Sequence, residues 1–246
     1  MLPKGWTDLL RQIVLFCGAY WLYRLVRGEV GDRVGVAFEN ARHIVGVERS
    51  LGLFAEPAVH SWAEAHEWIA DAASWMYVNS HFVITTFALA FLYLRRNEHF
   101  YFVRNMFMVA MGIALVGYLL FPTAPPRLMP ELGFSDSVAD FTGLDTDSSS
   151  ALVNPYAAVP SMHVAFALML ALPMARSARH GAVRALWLAY PAVVTFVVVA
   201  TANHWWFDAV LGGATAAASA LAAQALLARA RPHAWAWDPE PRAAGA

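Results

Sequence analysis

The sequence is short of charge: Asp, Glu, Lys and Arg supply only 14% of its 246 residues. Soluble domains draw about a quarter of their residues from these four types, so the chain lacks the polar surface that a water-soluble fold of this length needs. It also lacks a basic excess. A net charge of -1 and an isoelectric point near 6.7 exclude the basic face that a nucleic-acid partner requires. A single cysteine, Cys17, cannot form an internal disulfide. Lys4 and Arg11 precede an apolar stretch, but that stretch runs into Tyr23, Arg24 and Arg27 with no small-residue cleavage pattern. A retained first span is therefore expected in place of a signal peptide. No internal repeat and no linker separating two domains is visible.

What the chain does have is apolar mass, with 59% hydrophobic residues and a mean hydropathy of +0.46. The apolar residues form blocks at about 8–26, 73–94, 101–121, 162–178, 185–203 and 207–228, each long enough to cross a hydrocarbon core. Lipid-exposed backbone must satisfy its own hydrogen bonds, so these blocks are expected to be helices. The interval 29–72 differs, with Glu29, Asp32, Arg33, Glu39, Arg42, Glu48, Arg49, Glu56, Glu64, Glu67 and Asp71 set between apolar positions. That pattern reads as one or two amphipathic helices lying at the membrane interface. The stretch 122–160 is rich in Pro, Gly, Ser and Asp and reads as a long loop, and the segment 232–246 reads as a disordered tail. The expected fold is an all-α integral membrane protein: a six-transmembrane-helix bundle with interfacial amphipathic helices between the first and second spans. It forms a single membrane domain over 1–231, with a core at about 75–228.

Arg and Lys set the orientation. Lys4 and Arg11, then Arg95, Arg96 and Arg104, then Arg176, Arg179 and Arg184, and finally Arg229 and Arg231 all fall on one side of a six-span chain. That side is expected to be cytoplasmic and to hold both termini, while the loop 122–160 and the turn near 203–207 face outward.

Polar groups at membrane depth are costly, and two clusters stand out. One is Pro160-Ser161-Met162-His163 at the start of the fourth span; the other is His204-Trp205-Trp206-Phe207-Asp208 at the start of the sixth. The 41 residues from His163 to His204 hold one helix inward, a short basic turn and one helix outward. The hairpin returns the chain to the face it left and should bring both histidines to one depth. His204 and Asp208 are four apart and share a face on a helix. The carboxylate can fix the imidazole tautomer and leave the other nitrogen free to attack. Ser161 and His163 sit at a helix N-terminus, where free amides and the helix dipole favour an anion, and Pro160 suits a first turn. Arg127, in Pro122-Thr123-Ala124-Pro125-Pro126-Arg127, offers a planar fork of donors to a phosphate. A nucleophilic imidazole, an orienting carboxylate, a second imidazole and an arginine compose a phosphoryl-transfer site.

At these residues the sequence resembles the type 2 phosphatidic acid phosphatase superfamily, whose second motif is Pro-Ser-Gly-His and whose third ends in His-x3-Asp. The likeness covers roughly residues 75–228. It implies a six-helix core, with His204 as the nucleophile that forms a phosphohistidine, Asp208 as its orienting group and His163 as the general acid. It also implies phosphate binding by Ser161 and Arg127, a membrane lipid phosphate as substrate, and no metal or other cofactor. Four positions depart from the family pattern. Leu120 stands where a Lys precedes the Arg, Val197 and Val198 stand where a Ser-Arg pair is usual, and Met162 replaces Gly. The pattern Pro122-Thr123-Ala124-Pro125-Pro126-Arg127, then Asn154-Pro155-Tyr156-Ala157-Ala158-Val159-Pro160-Ser161, looks more like the branch containing inositol phosphorylceramide synthase, which moves an inositol phosphate between lipids. A lipid phosphate or polyprenyl pyrophosphate phosphatase is the alternative.

Other readings of the same residues make different predictions. A transporter or scaffold without catalysis would keep its function after His204→Ala or His163→Ala. A zinc or iron site built from His163, His204 and Asp208 would fail under a chelator. A Ser161 protease would need that hydroxyl, but no Gly-x-Ser-x-Gly elbow is present. Asn203 reads as a cap for the last helix. Trp205 and Trp206, with Trp62, Trp68 and Trp75, read as interfacial belt residues. Asp136, Asp140, Asp145 and Asp147 read as loop-solvating groups, and His60, His66, His81 and His99 as surface or packing groups. Asn79 and His81 could line a cavity or bond between helices.

Overall fold

A computed structural model describes residues 2–28, 33–143 and 155–227. The tail beyond 227 and the middle of the long loop, 144–154, where a disordered tail and part of the loop were expected, lie outside the described residues. Ten α-helices carry the described chain: α1 Gly5–Gly28, α2 Val34–Ser50, α3 Glu56–Glu64, α4 Glu67–Asn79, α5 Thr85–Arg95, α6 Asn97–Leu120, α7 Ser137–Thr142, α8 Met162–Ser177, α9 Gly181–Ala200 and α10 Trp206–Leu221. No strand occurs among the described residues; a lone bridge pairs Thr123 with Ala157.

Among the described residues, three helices are long and apolar enough to cross a membrane: Asn97–Leu120, Gly181–Ala200 and the last helix continued to Ala225. The bent pair α4–α5 makes a fourth if it is one span, and α8 is apolar but shorter. These helices mark the chain as a membrane protein by their length and composition. The block expected as one straight second span is bent by 47°. At Ser80–Ile84 the backbone opens into a wider π-type turn, and the Thr85 hydroxyl donates to the Ser80 carbonyl at 3.0 Å. Insertion of a π turn is a recognised cause of such a kink.

The main core lies between α1, α5, α6, α8 and α10, around Leu92, Val103, Phe107, Ala114, Ala165 and Leu170. At the end where α1 and α6 begin, Asp8 accepts from Tyr93 and Tyr101, while Arg104 donates to Gln12 at 2.6 Å. These bonds tie α1 to α5 and α6 through polar groups that would otherwise stand bare in an apolar environment.

The opposite end holds the C-terminus of α6, the N-terminus of α8, the C-terminus of α9 and the N-terminus of α10. Here the interval expected to be amphipathic does form helices. Ala37, Ala41, Ile44, Val45 and Glu48 recur every three to four residues and are the buried face of α2. That face packs with Met129, Phe134, Val159, Ala202 and Trp205 into a second core. Trp205 is fully buried and its indole donates to the Ala124 carbonyl at 3.0 Å. It is a core residue, correcting the belt reading: an apolar ring is cheapest inside once its one polar atom has a partner.

Two glycines permit this end to close. A Cβ on Gly117 would sit 2.8 Å from Pro160 Cδ, and one on Gly212 would collide with the Ser161 carbonyl oxygen. Backbone therefore meets backbone where α6 and α10 grip the 159–161 segment. Gly212→Ala is expected to destabilise by about 1–3 kcal/mol through overpacking. Gly213→Ala, whose Cβ would make ordinary contact with Leu168 at 3.7 Å, should be tolerated. Thermal unfolding of the two variants in the same detergent checks the contrast.

Candidate active site

The site is organised by the way α10 begins. After α9 the chain reverses at Ala202, whose φ of 53° lies in the left-handed region. The Asn203 and His204 amides both donate to the Val198 carbonyl at 3.0 Å. Helix α10 then starts at Trp206, so His204 stands just ahead of the helix and is not on its face as expected. Asp208 closes the gap: its Oδ2 accepts the Trp205 amide at 3.0 Å and lies 3.2 Å from His204 Nδ1. The pairing expected from four-residue spacing is therefore present, built across the N-terminal cap of α10 instead of along one helical face. Asp208 is fully buried and His204 nearly so.

His163, on the first turn of α8, brings its ring to 5.8 Å from the His204 ring, centroid to centroid, in an edge-to-face arrangement. Its other face stacks on Tyr77 of α4 at 4.4 Å. Ser161 occupies the N-cap position of α8 but makes no side-chain cap bond. Its hydroxyl is fully buried and has no hydrogen-bond partner, while its amide donates to the Asp208 carbonyl at 3.0 Å. Pro160 lies one residue ahead of that cap, not in the first turn.

Arg127 follows α6 on a short 3-10 turn, Pro126–Leu128. Its amide donates to the Ala202 carbonyl at 2.8 Å and its Nη1 to Asn203 Oδ1 at 2.9 Å, so it is fastened to the two residues before His204. Its Nε lies 3.2 Å from Asp136 Oδ2. The five residues singled out from sequence thus meet at one end of the bundle. Among the described residues, no group of three or more His, Cys, Asp or Glu side chains is arranged to hold a metal ion.

Two assignments change. Asn203 does not cap α10: its amide group donates to Thr201 and its carbonyl oxygen receives Arg127. Asp136 caps α7 through the Ala139 amide at 2.9 Å and offsets the charge of Arg127. His60 is buried, with Nδ1 on the Ala200 carbonyl at 2.8 Å and Nε2 on the Ser135 amide and hydroxyl at 3.1 and 2.9 Å. The carbonyl can only accept and the amide can only donate, so the proton sits on Nδ1 and the imidazole is neutral there. This clamp holds the loop that carries Asp136 against the end of α9.

Tyr77, Glu48 and Glu56 are residues that sequence reasoning missed. Glu56 Oε1 accepts the Trp206 amide at 3.1 Å and Glu48 Oε1 accepts the Phe207 amide at 2.9 Å. Three successive amides, 205 to 207, therefore end on three different carboxyl groups. The first amides of a helix have no partner within it, and its N-terminus favours negative charge. The signal in the sequence was the position of the two glutamates on the apolar faces of α2 and α3, within an interval read only as amphipathic helices at the interface.

Apolar spanning helices with a buried imidazole–carboxylate pair beside a second imidazole define a helical membrane protein with a polar site at one end of its bundle. The chain belongs to the PAP2 superfamily, whose family model matches residues 42–222. The matched region includes α3 to α10 entire and every site residue named above. No curated protein and no solved structure matches the chain. Membership supports an enzyme of the phosphatase or phosphotransferase type.

Proposed function

We propose that the protein is a lipid phosphotransferase that moves a phosphate-bearing headgroup, inositol phosphate foremost, from a donor lipid to an acceptor alcohol through a phosphohistidine on His204. The observation that carries the reading is the placement of His204, held by Asp208 at 3.2 Å, with the His163 ring 5.8 Å away. Asp208 accepts the hydrogen bond of Nδ1–H, which fixes the tautomer and leaves the Nε2 lone pair for phosphorus. Nε2 attacks, the bond from phosphorus to the leaving alkoxide breaks, and His163 gives that oxygen its proton. The neutral His163 then takes the proton of the acceptor alcohol, whose oxygen displaces His204. An attack distance of about 3–3.5 Å and a proton-transfer hydrogen bond of about 2.6–3.2 Å suit rings this far apart. Ser161, with its hydroxyl uncommitted at the α8 N-terminus, and Arg127 bind the phosphoryl oxygens. No metal or cofactor takes part.

The poverty of cations favours transfer from a phosphodiester over hydrolysis of a monoester. Arg127 shares its charge with Asp136, Leu120 is an exposed leucine, and Val197 and Val198 are buried apolar residues whose place in the family holds a Ser-Arg pair. A diester brings one negative charge and a monoester close to two. In a membrane, α1, α4–α5, α6, α8, α9 and α10 make six spans, with α2 and α3 amphipathic at the outer interface. The basic residues at the far end face the cytoplasm, both termini lie there, and the site opens outward.

Purified protein in lipid discs should convert phosphatidylinositol and an acceptor lipid alcohol into a new inositol-phosphate lipid without releasing inorganic phosphate. Vanadate should inhibit and a chelator should not. Inorganic phosphate released from phosphatidate or a polyprenyl pyrophosphate, with no new lipid, would make the protein a phosphatase instead.

A further inference from the structure

Glu48 and Glu56 come from different helices, are 3% and 0% exposed, and grip adjacent amides of α10. Each uses one oxygen for its amide. The second oxygen of each, Oε2, has no donor although it is buried, and the amides they hold belong to neighbouring residues, which sets the two carboxyl groups side by side at the start of α10. Two carboxylates cannot bond each other without a proton, and two buried like charges in contact repel strongly. One proton held between them satisfies both orphan oxygens.

We propose that Glu48 and Glu56 form a proton-sharing carboxyl pair that positions the His204–Asp208 unit by clamping the first turn of α10. The inference rests on the proposed role of His204 for its effect on turnover, but not for the shared proton itself. The two glutamates reach the backbone of Trp206 and Phe207, between His204 and Asp208, and touch neither imidazole. They are positioning residues. The groups that bear on Glu48 are acidic, namely Glu56 and Asp208. His204 is turned to Asp208, His60, four residues along α3 from Glu56, is turned to the Ala200 carbonyl and Ser135, and the neighbouring cation Arg49 is turned onto the Phe54 ring at 4.7 Å.

Burial first, then the hydrogen bond to Glu56, push Glu48 up from its ordinary 4.5 to about 8, against the lowering effect of the Phe207 amide. The folded protein therefore holds a proton that the unfolded chain has released over the window from 4.5 to about 8. Stability from this group is complete below that window, declines as pH rises across it, and levels off above about 8. Above the same pH the clamp carries two negative charges and opens, so turnover falls with the proton.

The test compares wild type, E48Q, E56Q and E48A in micelles, reading melting temperature and turnover from pH 5 to 10. Glutamine accepts the same amide and offers an N–H to the remaining carboxylate, so it stands in permanently for the protonated form. Wild type should lose turnover about tenfold per pH unit above about 8. E48Q and E56Q should be active, with that alkaline limb removed and with a flatter fall of melting temperature between pH 5 and 8. E48A should lower turnover at every pH, because the Phe207 amide loses its acceptor, and E48Q should restore it. Identical pH slopes of melting temperature in wild type and both glutamine variants would overturn the shared proton. If no probe lipid is turned over by any form, the proposed reaction fails, and the melting slopes still decide the carboxyl pair. Should one glutamine variant fail to fold, the other supplies the comparison.

Discussion

Replacing His204 by alanine is expected to lower turnover by about 10⁴- to 10⁶-fold, the range seen when an enzyme loses its nucleophile. The fold should survive. His204 contributes one side-chain hydrogen bond, to Asp208 at 3.2 Å, and its amide bond to Val198 is independent of the side chain. The Trp205 amide keeps its acceptor on Asp208, so α10 stays capped. The loss should therefore fall on turnover with little change in melting temperature, and exogenous imidazole should restore part of the activity by filling the space the ring leaves. A His204→Ala protein that retains turnover would favour the transporter or scaffold reading. A fall in turnover matched by collapse of the melting temperature would assign the residue to folding.

His163→Ala is expected to cost about 10²- to 10⁴-fold, the usual worth of a general acid, and the size of the loss should depend on the substrate. A poor leaving group, such as the alkoxide of a lipid alcohol, needs a proton as it departs. A nitrophenolate departs without one. The defect should be severe with a lipid donor and nearly absent with an activated aryl phosphodiester, provided both reach the site. Tyr77, stacked at 4.4 Å, holds the His163 ring in place beside His204, so Tyr77→Ala should reproduce part of the defect while Tyr77→Phe should not. An equal loss on both substrates after His163→Ala would assign that histidine to binding instead.

The site residues were legible because membrane depth makes polar groups conspicuous. Between Pro160 and Asp208 the chain offers few polar side chains inside apolar blocks, and a helical hairpin of known pitch must bring the two histidines together. The details of their support were not legible. Nothing in four-residue spacing distinguishes a pair on one helical face from a residue held ahead of the helix by an N-terminal cap, which is the arrangement of His204 and Asp208. Glu48 and Glu56 were hidden for the opposite reason. In an interval where charged and apolar residues alternate, every carboxylate reads as part of an amphipathic helix at the interface, and only the packing of α2 and α3 on α10 puts these two inside. Asp136 follows the same logic, a loop-solvating acid by composition that is drawn into a helix cap and an ion pair by a loop whose course no local pattern encodes. The bend between α4 and α5 escaped because hydropathy registers apolar length and is blind to one extra residue in a turn.

The account depends on a covalent bond between phosphorus and His204. A donor phospholipid labelled at its phosphate, mixed with the protein and quenched in alkali, where phosphohistidine persists, should leave label on the chain within one turnover. Peptide mapping should place it on Nε2 of His204, and addition of an acceptor lipid alcohol before the quench should remove it into a new lipid. Label that never appears on the protein while product forms, or that appears on a residue other than His204, would contradict the account.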